Sequence, residues 1–145
     1  MLNIDNHTEF SINTQILEDI LKVHTNREID LIVCYNVTIQ KYNKEYRGKD
    51  QATDVLSFPI ENDIIINNDI IPLGSIIISI DFVEDKAKEF SHSRSDEFTL
   101  LFIHGLLHLL GYDHEEDNGE MREMEEKIIQ QMNLPKSLIV RTEGF

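Results

Sequence analysis

The chain of 145 residues is 41% hydrophobic and carries 13 Lys and Arg against 27 Asp and Glu, a formal charge of −14. That length suits one compact domain, residues 1–145, whose core needs no disulfide or metal staple. The charge excludes a surface that attracts nucleic acid or anionic lipid over its whole extent, so any anionic partner must be met locally.

The opening Met1-Leu2-Asn3-Ile4-Asp5-Asn6 has neither the basic nor the apolar region of a secretory leader. No apolar run reaches the roughly 18 to 20 residues of a membrane span. A soluble, cytoplasmic protein without membrane contact is expected. Leu2 to Ile4 reads as a short strand, and Thr14 to Thr25 as a helix with Ile16, Leu17, Ile20, Leu21 and Val23 on its apolar side. A β-branched strand follows over Glu28 to Tyr35. It contains the single cysteine, Cys34, whose apolar neighbours mark it as a small buried hydrophobe in a reducing compartment.

Val37 to Tyr46 predicts a short helix ending at Gly48, a residue that tolerates the left-handed cap conformation. Val55 to Phe58 reads as a strand that Pro59 stops or pushes to a sheet edge. Asn67, Asn68 and Asp69 interrupt the apolar run Ile64 to Ile71, a hairpin signal. Ile76 to Ile80 is the strongest strand pattern. Beyond it the period becomes helical, over Phe82 to Phe90, Asp96 to Leu110 and Gly119 to Met132. Strands mostly before helices predict an α+β fold, a mixed sheet with helices packed mainly on one face.

Three of the six histidines fall in Ile103-His104-Gly105-Leu106-Leu107-His108-Leu109-Leu110-Gly111-Tyr112-Asp113-His114. His104 and His108 are four apart in a helix that Ser95 can cap and that Asp96 and Glu97 favour at its positive end. Both imidazoles can therefore reach one ion. Continued helix would carry His114 off that face, but Gly111 can take a positive φ, end the helix and return the chain. Three neutral nitrogens suit Zn²⁺ and leave a fourth position for water. A protease helix of the His-Glu-x-x-His type would place its general base where Gly105 stands, which weakens a peptidase reading without abolishing it.

These residues resemble a known family. His-Gly-x-Leu-His-Leu-x-Gly-Tyr-Asp-His is similar to the signature of the bacterial YbeY endoribonucleases, metal-dependent RNases of ribosomal RNA maturation and ribosome quality control. Tyr46-Arg47-Gly48-Lys49-Asp50 with Thr53-Asp54-Val55-Leu56-Ser57-Phe58-Pro59, and Leu73-Gly74 leading into Ile76 to Ser79, match two further blocks of the family. The resemblance implies one Zn²⁺ held by His104, His108 and His114, and a functional arginine at Arg47. It also implies a zinc helix like that of matrix metalloproteinases, and single-stranded RNA as substrate. The RNA would be ribosomal, cut in 16S 3′-end maturation, with the ribosome or small-subunit proteins as partners and no DNA. Ala52 and Ser75 depart from the family, which often has proline and aspartate there.

Arg47 is thereby expected to hold a phosphate oxygen and stabilise transition-state charge. Across Lys41 to Lys49 four cations face one acid, Glu45, the candidate RNA track. Asp113 is a candidate either to orient an imidazole or to cap the loop, Tyr112 and Phe58 are candidates for base stacking or core, and Asp54 for general base. The eight acids between Asp113 and Glu126 read largely as a solvated helix face. The alternatives are a zinc peptidase on the same helix, and a non-enzymatic ribosome-associated protein with structural zinc.

Overall fold

A computed structural model describes residues 1–60 and 71–143. The hairpin expected over Ile64 to Ile71 lies almost wholly outside the described residues. In chain order the elements are β1 (Leu2–Asn6), α1 (Thr14–His24), β2 (Ile29–Cys34), α2 (Asn36–Arg47) and β3 (Val55–Pro59). They continue with β4 (Gly74–Ser79), α3 (Ile80–Phe90), α4 (Arg94–Leu109), α5 (Glu120–Gln131) and α6 (Ser137–Thr142).

The four strands form one mixed sheet in the order β1-β2-β4-β3. β1, β2 and β4 run parallel, and β3 pairs antiparallel with β4, Ser57 opposite Ile76. Among the described residues β3 is thus an edge strand, and it ends at Pro59, as suits a residue that cannot donate to a ladder. The alternation of a strand sorts its side chains between two faces. Ile29, Leu31 and Val33 of β2 and Ile76 and Ile78 of β4 face one core, with α1, α3, α4 and α5. Cys34 and Ile77 point the other way, against Ile39 of α2 and Leu56. The fold is α+β with most helices on one face and α2 on the other.

α4 is the central helix. From Glu97 to Leu107 every residue is buried, and each fully buried Leu, Ile or Phe contributes about 1.5–3 kcal/mol. Its N-cap is Ser93, whose side chain accepts from the Asp96 N–H at 3.0 Å. The expected cap, Ser95, is instead a first-turn residue, and its carbonyl accepts from the Thr99 hydroxyl. Ile80, expected to close β4, starts α3. α6 is an element beyond those the sequence pattern predicts. Gly48 ends α2 in the left-handed conformation at φ 69°.

Candidate metal centre and cleft

α4 supplies two of the three histidines. One helical turn apart, His104 and His108 bring their Nε2 atoms to 3.2 Å. Two nitrogens each about 2.0–2.1 Å from a tetrahedral ion are separated by about 3.3 Å. Both Nδ1 atoms are already engaged, that of His104 with Glu125 Oε1 at 2.6 Å and that of His108 with the Tyr112 carbonyl at 3.0 Å. A carbonyl only accepts, so His108 Nδ1 donates and its Nε2 keeps the lone pair a metal needs.

The helix ends where the third histidine has to enter. Gly111 takes φ 102°, and the N–H groups of Gly111 and Tyr112 donate to the carbonyls of His108 and Leu107 at 3.0 Å each. The turn brings the His114 ring centroid to 5.3 Å from His104 and 5.4 Å from His108. One nitrogen from each imidazole lies within 4.8 Å of the others, so the three could hold a metal ion.

Burial pushes the His104 pKa down to about 4 and lowers that of His108. Both are therefore neutral near pH 7, the form that ligates. Burial pushes the Glu125 carboxyl up to about 8. Its Oε2 has no hydrogen-bond partner among the described residues, which adds to the cost of charging it. Glu125 was missed in the sequence, grouped with the solvated acids, yet it is 2% exposed. The available signal was its helical register with Met121, Ile128 and Ile129, which places it on the apolar side of α5.

Gly105 lies where α4 crosses the sheet. A Cβ there would meet Ile76 Cγ2 at 2.9 Å and Ser57 Oγ at 3.2 Å, and Ser57 Oγ donates to the Gly105 carbonyl at 3.1 Å. The place of a protease glutamate is filled by the sheet.

The histidines open onto a cleft whose other wall is β3 and the end of α2. His104, His108, His114, Arg47 and Asp54 all line it. Arg47 Nη2 donates to the Ser57 carbonyl at 2.7 Å, and its guanidinium lies over the Phe58 ring at 5.3 Å. Asp54 accepts from the Val55 N–H at 2.7 Å and from Arg141 Nη2 at 3.1 Å. Behind it the buried Arg141 donates through Nε to Glu97 Oε2 at 3.1 Å, and Glu97 Oε1 lies 2.8 Å from His92 Nε2. Sequence reasoning missed this chain of charges.

For the remaining candidates the structure chooses between readings that the sequence leaves open. Lys41, Lys44 and Lys49, of the candidate RNA track, lie outside the residues that line the cleft, and Lys44 lies 3.9 Å from Asp50. Asp113 caps the loop, accepting from the Glu115 N–H at 3.0 Å, and the backbone of Tyr112 orients His108 in its place. Phe58 packs with Cys34, Ile39, Leu56 and Ile77, and Tyr112 against the main core.

The family described as Endoribonuclease YbeY matches residues 3–133. A relative of that name from Aliarcobacter butzleri is 58% identical over 141 residues, 97% of this chain and 99% of its own. Another, from Sulfurimonas denitrificans, is 53% identical over 144 residues, 99% of this chain and 100% of its own. A solution structure of a Thermotoga maritima protein superposes with a TM-score of 0.61 at 28% identity, over 91% of this chain and 89% of that one. The histidine helix, the glycine turn and these similarities agree: the chain belongs to the YbeY endoribonuclease family.

Proposed function

We propose that the protein is a zinc-dependent endoribonuclease of the cytoplasm, one domain over residues 1–145, that cuts single-stranded RNA. Its proposed substrate is ribosomal RNA, in 16S 3′-end maturation and ribosome quality control, met with the ribosome or small-subunit proteins as partners. RNA enters through the names of the relatives. The observation that supports a metal acting beside a phosphate-binding cation is the convergence of two imidazole Nε2 atoms, 3.2 Å apart, in a cleft that Arg47 also lines.

His104, His108 and His114 would hold the ion. When bound, zinc supplies Lewis acidity, which lowers the pKa of water and polarises a phosphoryl oxygen. Glu125 and the Tyr112 carbonyl hold the first two rings in register. Arg47, pinned by the Ser57 carbonyl and the Phe58 ring, presents a permanent charge to a non-bridging phosphate oxygen. Because that cation is fixed before substrate arrives, it stabilises developing charge without reorganising. The crowding at Gly105 weighs against a peptidase, which would need a base at that place.

Purified protein is expected to contain about one zinc per chain, the stoichiometry of a site with one set of three histidines. It should cut single-stranded RNA, lose that activity to a chelator and leave casein intact. His108→Ala should lose zinc and cleavage together. Arg47→Ala should keep zinc and lose cleavage by about a hundredfold or more. RNA cutting that survives both substitutions and chelation overturns the assignment.

A further inference from the structure

We propose that Tyr46 docks an unpaired RNA base beside Arg47, which lines the cleft, while Arg47 holds a neighbouring phosphate. This deepens the endoribonuclease reading and rests on it. The last turn of α2 sets Tyr46 and Arg47 side by side in sequence, and both reach the same ring. The Phe58 centroid is 5.3 Å from the Arg47 guanidinium carbon and 5.5 Å from the Tyr46 centroid, with the two rings tilted by 59°. Tyr42, one turn earlier, is stacked with Tyr46 at 6.2 Å and 20°.

Tyr42 and Phe58 are half-buried, whereas Tyr46 is 60% exposed. Tyr46 is thus an aromatic ring braced by two others and otherwise left in water. A braced ring loses little conformational freedom when a partner covers it. Every base has a π-face, so stacking accepts any sequence. A base inside a duplex is already stacked on its neighbours, so only an unpaired one is available to Tyr46. The adjoining cation explains why the partner is a nucleotide and not a bare apolar group: Arg47 takes the phosphate, Tyr46 the base.

The test uses zinc-loaded protein and a single-stranded oligoribonucleotide with one cleavage position, beside copies each lacking one base but keeping the ribose and phosphate. In the wild type, removing one base near the cut should lower kcat/KM about tenfold, mainly through KM. Tyr46→Ala should lower kcat/KM on the intact strand by a similar factor and suffer no further loss from that missing base. Tyr46→Leu, which keeps apolar bulk without a π-face, should behave like alanine, and Tyr46→Phe like wild type. If either aliphatic variant cuts the intact strand as well as wild type, or stays as sensitive to each missing base, the stacking role is overturned. A wild type that leaves the strand uncut overturns this proposal and the endoribonuclease reading together, whereas cleavage without coupling overturns the stacking alone.

Discussion

Burial keeps the Glu125 carboxyl uncharged up to about pH 8, whereas in the unfolded chain it ionises near 4.5. Across that interval unfolding releases a proton from Glu125, so its contribution to stability is lost as pH rises. His104 acts in the opposite sense. Its pKa falls from 6.5 to about 4 on folding, so unfolding takes up a proton between those values and stability there rises with pH. Above 6.5 the Glu125 effect is left, and the metal-free protein should lose stability toward pH 8 by at most about 1.4 kcal/mol per pH unit. Melting of chelator-treated protein measures this, and Glu125→Gln should flatten the slope; an unchanged slope in that variant refutes the assignment. With zinc present the same substitution should weaken metal affinity about 10- to 100-fold, since it replaces the carboxyl group that orients His104 with an amide.

At the scale of elements, the contact of α4 with the sheet depends on Gly105. Adding one methyl group forces it against Ile76, a fully buried β-branched residue of a central strand. Gly105→Ala should cost about 1–3 kcal/mol, or roughly 3 to 10 °C of melting temperature in a chain of this size. A melting temperature equal to wild type would mean that α4 shifts freely on the sheet. The sequence made the helix, the glycine turn and the returning histidine legible because all three lie within eleven residues and obey local rules. Glu125 was not legible in the same way, since its partner is 21 residues away and only packing decides which acid of α5 turns inward. The Arg141 contacts span 44 and 87 residues, beyond any periodicity. Ser93 and Ser95 are both good caps by residue type, and the structure uses Ser93.

For the whole molecule, the charge of −14 and the position of the lysines outside the cleft have one consequence. Among the described residues that line the cleft, Arg47 is the permanent cation, so few phosphates are neutralised on binding. The logarithm of affinity for free single-stranded RNA should fall with the logarithm of salt with a slope of about −1 to −2. Fluorescence anisotropy across a salt series reads this directly, and a slope of −5 or steeper would reveal a broad basic surface.

Arg141 also sets an order in time. The ribosome makes the three histidines first, then Glu125, and only later the arginine that grips Asp54 from 87 residues downstream. A nascent chain therefore carries all three candidate metal-binding histidines before it carries Glu125, which holds His104, and Arg141, which grips Asp54. A nuclease of the proposed kind, made by a machine built of its own substrate, would gain its finished cleft only as the last helix leaves that machine.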